Sequence, residues 1–187
     1  MKSAKVIVIV APSGTGKSTI MKRLLETVDA LKESISFTTR PIRVGEAHGV
    51  DYQFVSEEEF EIRIDEGEFI EWAKVHGNYY GTSQKVVEKS LSEGQNLLCD
   101  LDVQGADNIK KAFNENALII FIAPPTLDEL ERRLRHRGTD RTDVINLRLL
   151  NARSEMERRN DYDHLVINDD LDKAYSEVKA IIEDAIK

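Results

Sequence analysis

Between an apolar run, Lys5 to Val10, and a helical pattern that begins at Ser18, the chain reads Ala11-Pro12-Ser13-Gly14-Thr15-Gly16-Lys17-Ser18. Glycines at this spacing, followed by a lysine and a hydroxyl, are what a phosphate-binding loop needs. Successive backbone N–H groups curl into a nest for anionic oxygens, the helix N-terminus adds its dipole, and glycine lets the main chain come close. Lys17 then suits the β- and γ-phosphates of a nucleoside triphosphate, and Ser18 suits a Mg2+ ion. The strict pattern opens on Gly. Ala11 stands there instead, so this position is expected not to need the positive φ that only Gly adopts cheaply.

Asp100-Leu101-Asp102 closes a later apolar run, at the strand end where open α/β sheets bind ligands. Asp102 is favoured for the water shell of a metal and Asp100 for the acceptor side; the alternative is that the two acids only end the strand. Arg132 to Arg148 packs six arginines into an otherwise acidic chain. Such a cluster can offset charge on a phosphoryl group in transfer, a reaction that needs positioning and electrostatics rather than a covalent nucleophile. It can also be a solvated helix face in which Asp128, Glu129 and Glu131 pair with Arg132, Arg133 and Arg135.

The elements that must position these groups read as α/β. Strand-like runs recur at Asn96 to Leu101, Leu118 to Ile122 and His164 to Ile167. Helical patterns cover Ser18 to Val28, Gln104 to Phe113, Leu127 to Leu134, Val144 to Met156 and Leu171 to Ile186; the last carries Ala174, Val178, Ile181, Ile182 and Ala185 on one face. Alternation of this kind implies a parallel sheet with helices on both sides. Residues 35–82 break the rhythm with strand-like pieces, Tyr52 to Val55 and Phe69 to Val75, around a glutamate-rich helix, Glu57 to Ile64. They read as an inserted subdomain.

Composition narrows the function classes. The 187 residues are 41% hydrophobic, enough for one sizeable core. With 26 Lys and Arg against 34 Asp and Glu the formal charge is −8, which argues against a broad grip on nucleic acid or anionic membrane. The apolar runs are too short to span a bilayer, and no signal-peptide pattern opens the sequence. The lone Cys99 reads as a buried strand residue, and His48, His76, His136 and His164 lack metal-ligand spacing. The expectation is a cytoplasmic protein.

Several strings, weak singly, occur in one order. They are the loop Ala11 to Thr19, Thr38-Thr39-Arg40-Pro41-Ile42-Arg43-Val44-Gly45-Glu46, Gly49 to Tyr52, Phe69 to Trp72, Gly77 to Thr82, Asp100 to Gly105, Ala123-Pro124-Pro125, Arg135 to Thr139 and Val166 to Asp170. In order and spacing the chain resembles the guanylate kinase family over nearly its whole length. The resemblance implies a single domain with a P-loop NTPase-type parallel sheet flanked by helices. It divides the chain into a core (about 1–34, 83–125 and 160–187), a mixed α/β GMP-binding subdomain (about 35–82) and a helical lid (about 126–159). It implies transfer of the γ-phosphoryl of ATP to GMP, and to dGMP, with Mg2+ and arginine charge stabilisation. A non-catalytic, protein-binding module of the same fold is the alternative, against which Lys17, Ser18, Arg137 and Arg148 stand.

By the same resemblance, ATP belongs to Ala11, Pro12, Ser13, Gly14, Thr15, Gly16, Lys17, Ser18 and Thr19, with Asn168 near the adenine. The metal falls to Ser18 and Asp102, and GMP to Ser36, Arg40, Arg43, Glu46, Tyr52, Glu71, Tyr80, Thr82 and Asp100. Lys17, Arg43, Arg137 and Arg148 carry the transfer, with Arg133 as a third lid arginine. Glu71 bears on the guanine edge, because a carboxylate accepts from both N1–H and the 2-amino group, which adenine does not offer. On pattern alone Glu71 is the outward residue of an alternating strand, Tyr79 and Tyr80 are hairpin aromatics, Arg40 and Arg43 are surface charges in a loop, and Asn168 is a turn residue. Phe37 and Arg141 depart from the family's usual residues. A homo-oligomer is left open.

Overall fold

The computed structural model describes residues 4–75, 77–136 and 141–187. In chain order the elements are β1 Val6–Val10, α1 Lys17–Thr27, β2 Leu31–Glu33, β3 Phe37–Thr38, β4 Gln53–Phe54, α2 Glu57–Asp65, β5 Phe69–Val75 and β6 Asn78–Ser83. There follow α3 Gln84–Ser92, β7 Asn96–Asp100, α4 Val103–Phe113, β8 Ala117–Ala123, α5 Leu127–His136, α6 Thr142–Glu157, β9 His164–Ile167 and α7 Leu171–Ile186.

Five strands, ordered β2-β7-β1-β8-β9, form an all-parallel sheet. The unbroken apolar run of β1 is buried on both faces, as a sheet covered by helices on each side requires. Alternate residues feed two cores. Ile7, Ile9, Leu98, Ile120 and Val166 pack with Ile20, Leu24, Val178 and Ile182 of α1 and α7. Val6, Val8, Cys99, Ile119 and Phe121 pack with Val87, Ala106 and Ile109 of α3 and α4. The chain leaves β1 towards β2 on one side and reaches β8 on the other, so a crevice opens at the carboxyl ends of β1 and β7. Ile9 is in register with Asp100, which sets that acid level with the start of the loop after β1.

A second sheet, β4-β3-β6-β5, occupies the inserted segment. α2 begins where Ser56 Oγ accepts from Glu59 N (3.0 Å) and three glutamates in the first turn meet the helix dipole. It lays Phe60, fully buried, on the sheet, where its ring stacks on Phe69 (4.4 Å between centroids) and Tyr79 (5.1 Å). Two threonines clamp β3 to β6: Thr38 Oγ1 donates to Tyr79 O (2.9 Å), and Thr39 Oγ1 accepts from Tyr79 N (2.9 Å). A third cluster, Leu130, Leu134, Ile145 and Ala152, joins α5 to α6.

The strands β2, β3 and β6 and the helix α3 lie outside the sequence reading. β2 is a three-residue edge strand, and α3 shows only Val87 fully to the core over nine residues, too little for periodicity to register. Among the described residues no helix is long and apolar enough to cross a membrane. Because Phe60 links α2 to both long strands of the second sheet, Phe60→Ala is expected to lower stability by about 3–5 kcal/mol in urea denaturation.

Candidate active site

The loop after β1 is held in a shape that few residues could adopt. Gly14 (φ 98°) and Gly16 (φ 93°) are left-handed, and a Cβ on either would also meet a neighbour at 2.8 Å, Leu134 Cδ2 and Asn168 Nδ2 respectively. Ala11 needs no positive φ, as its residue type requires; among the described residues Asn114 is the non-glycine that has one. Thr15, fully buried, donates from N–H (3.2 Å) and Oγ1 (2.7 Å) to Pro12 O. α1 starts at Lys17 with no side chain capping its first amides, which leaves them to an anion. The Lys17 ammonium is paired with the half-exposed carboxylate of Asp100.

A cleft of about 440 Å3 lies over the loop, lined also by Asp100, Asp102 and Glu155. Asp102 Oδ1 caps α4 by accepting from Gly105 N (2.8 Å). Among the described residues Glu155 Oε2 is buried without a hydrogen-bond partner, and burial raises this carboxyl's pKa, with Lys17 pulling it back and Asp102 adding to the rise. A hydroxyl at Ser18, the Asp102 carboxylate and an orphan carboxylate oxygen fit a hydrated Mg2+, which takes oxygen ligands and keeps waters that need acceptors. Sequence reasoning passed over Glu155. Its one signal is its place seven residues after Arg148, two turns along the same face of α6.

A second cleft, about 300 Å3, is lined by Ser36, Tyr52, Glu71, Tyr80 and Gly81 and shares Asp100 to Asp102 with the first. Glu71 faces inward: its Oε1 accepts from Thr82 Oγ1 (2.7 Å), and Trp72, 47% exposed, is the outward residue. A bulge between Phe69 and Glu71 makes this arrangement. In a regular strand the two would share a face; the extra residue lets Phe69 pack under α2 while Glu71 turns to the cleft. Burial raises the Glu71 pKa, the Thr82 hydroxyl opposing it, and Asp102 adds a smaller upward push.

Arg40, Arg43 and Glu46 follow β3 in one loop. Glu46 accepts from Arg40 Nη2 (2.8 Å) and from Arg43 N (2.8 Å), so in this state it ties the loop to a largely buried Arg40. Arg40 N donates to Thr38 Oγ1 (3.2 Å), and its guanidinium lies 5.5 Å from the Tyr52 ring. Burial pushes the Tyr52 phenol up, which keeps it a donor. Thr38 and Thr39, which carried no role in the sequence reading, anchor this loop. Phe37 packs on the α2 side, edge-on to Phe69 (5.7 Å) and under Arg63.

The arginines divide. Arg132 and Arg135 pair with Glu129 and Glu131 on the helix surface. Arg133 donates to Glu129 Oε1 (2.8 Å) and to Asn168 O (3.0 Å). Arg132 first, then Arg133, hold Glu129 down to about 2. Arg141 pairs with Asp143, and Arg148 Nη1 reaches across to Ser13 Oγ of the loop (3.1 Å). Arg137 lies outside the described residues. Asn168 is buried behind the loop.

The inward Glu71 carboxylate has a checkable consequence. A folded pKa above the unfolded one makes this carboxyl favour stability below that value and oppose it above. Glu71→Gln is therefore expected to raise Tm at pH 7–8, with the gain vanishing as pH falls through the raised value into the ordinary carboxylate range. Thermal unfolding of both proteins across pH 4–8 reads it.

The guanylate kinase family model matches residues 3–185. A guanylate kinase of Desulfotalea psychrophila is 49% identical over 97% of this chain and 90% of its own length. One from Syntrophotalea carbinolica is 48% identical over 94% and 83%. Among solved structures, guanylate kinase from Anaplasma phagocytophilum superposes with a TM-score of 0.74 at 32% identity, covering 98% of this chain and 87% of the other. On a family model that spans nearly the whole chain and relatives at this identity and coverage, the protein belongs to the guanylate kinase family.

Proposed function

We propose that the protein transfers the γ-phosphoryl of ATP to GMP, and to dGMP, giving ADP and the nucleoside diphosphate. The observation that carries this reading is the meeting of the two clefts at Asp100 to Asp102, with a phosphate loop on one side and a buried, inward carboxylate, Glu71, on the other. The GMP-binding subdomain is about 35–82, the lid about 126–159, and the rest is core; the location is cytoplasmic.

ATP lies along Ala11 to Thr19, with Asn168 behind them. Lys17 exchanges Asp100 for the β- and γ-phosphates, which frees Asp100 for the acceptor side. Ser18 and Asp102 would hold Mg2+, which when bound would compensate charge on the phosphates. Arg40, Arg43, Tyr52 and Tyr80 take the phosphate of GMP, since guanidinium forks and phenols match its dianion, and Glu46 keeps Arg40 and the loop in place. Ser36, Glu71, Thr82 and Asp100 read the base. Thr82 acts through Glu71, whose second oxygen is left for guanine. Choosing AMP would leave a buried carboxylate without its donors, and a site of that kind discriminates by as much as ~10⁴ to 10⁵. Arg148, already on Ser13, joins Arg137 over the transferring group.

ADP formation from Mg·ATP with GMP, dGMP, AMP, UMP, CMP and TMP tests the assignment. Turnover is expected with GMP and dGMP and is lost in Lys17→Ala and Glu71→Ala; no turnover with any acceptor would leave the non-catalytic binding module as the better reading. Arg148→Ala is expected to lower kcat by ~10³ or more with the KM for GMP little changed, the mark of an interaction made in the transition state. Steady-state kinetics separates that from a helix ion pair, whose loss would leave kcat intact.

A further inference from the structure

Asn168 stands directly after β9 and is 3% exposed. Its N–H donates to Ala123 O at the end of β8 (2.8 Å), its side-chain Nδ2 donates to Thr15 O (2.5 Å), and its carbonyl accepts from Arg133 Nη2 of α5 (3.0 Å). One residue thus joins the sheet, the phosphate loop and the first lid helix. The bond to Thr15 fixes more than a carbonyl. In a trans peptide the C=O of Thr15 and the N–H of Gly16 point in opposite directions, so a carbonyl held from behind turns the Gly16 N–H forward. Gly16 lines the 440 Å3 cleft on that forward side. Its lack of a Cβ is what lets the Asn168 amide come so near, since an added Cβ would sit 2.8 Å from Nδ2.

We propose that Asn168 is a positioning residue for the triphosphate, acting through the Thr15–Gly16 peptide. The side-chain Nδ2 is engaged with the loop and the residue is almost closed off from solvent. This inference rests on the reading that the loop binds ATP, and it gives the side chain a task besides any recognition of adenine. Arg133, on the Asn168 carbonyl through Nη2 and on Glu129 through Nε, extends the same brace into α5.

A probe with phosphates and no base separates the two tasks. Calorimetric titration of wild type, Asn168→Ala and Asn168→Asp with Mg·ATP and with inorganic tripolyphosphate is expected to show both ligands weakened by the same factor. That factor is about tenfold for Ala, and at least as large for Asp, which sets a carboxylate against the Thr15 carbonyl. GMP affinity, read in the same variants, stays within twofold of wild type. Loss confined to ATP, with tripolyphosphate unaffected, would overturn the proposal in favour of base contact, and so would unchanged affinity for both. Wild type that binds neither probe would instead sink the phosphate-loop reading itself. Circular dichroism and Tm select the variants that fold, and Asn168→Ser, which keeps a small donor, carries the comparison if Ala does not.

Discussion

A loop that turns its amide hydrogens towards one ligand must turn its carbonyls and its crowding the other way. In this chain the stretch from Ala11 to Lys17 meets that constraint with two left-handed glycines, an internal clasp of Thr15 onto Pro12, and the Asn168 amide on the Thr15 carbonyl. The surrounding fold follows from the need to hold this strip of backbone. β1 delivers it from the centre of the sheet, α1 continues its N–H direction as a helix N-terminus, and Leu134 of α5 leans on Gly14 where any side chain would intrude. A buried sheet strand on each side leaves the loop little room to relax, which is the sense in which the parallel core serves the chemistry.

Charge is arranged with the same economy. The chain as a whole is acidic, and three cations around the clefts each sit on a carboxylate: Lys17 on Asp100, Arg40 on Glu46, Arg133 on Glu129. These pairs keep cations in place at modest energetic worth where they are exposed. The buried acids behave differently. Glu71 and Glu155 are held against desolvation with few partners, one in each cleft, and a protein keeps such groups where a ligand brings the missing donors.

The inserted sheet shows how a single backbone irregularity can decide which side chain faces a cleft. Had β5 been regular, Phe69 and Glu71 would compete for one face, and either the aromatic core under α2 or the carboxylate in the cleft would be lost. The bulge between them removes that conflict. The threonine pair Thr38 and Thr39 then fixes the turn that carries Arg40, so the Arg40 loop and the Glu71 strand are held by one small sheet.

Much of this was legible from residue order. Short β-branched runs alternating with amphipathic helices imposed the parallel sheet, because burial on both faces leaves no polar position in the strands. The glycine-lysine-serine turn announced itself by type and spacing, and the glutamates flanking Arg132 and Arg135 announced their surface pairs. Local pattern could not reach further. It set Glu71 outward, since alternation carries no record of a bulge, and it treated Asn168 as a turn residue, since its partner Thr15 lies 153 residues away. It passed over Glu155, which meets the loop only when α6 folds back across the cleft. Sequence by itself determined which side-chain chemistries stand at which positions and which runs form the sheet, through residue type and periodicity. Tertiary structure alone decided which of them face a cleft and which brace it from behind, because facing depends on register, packing and long-range hydrogen bonds that no short window contains.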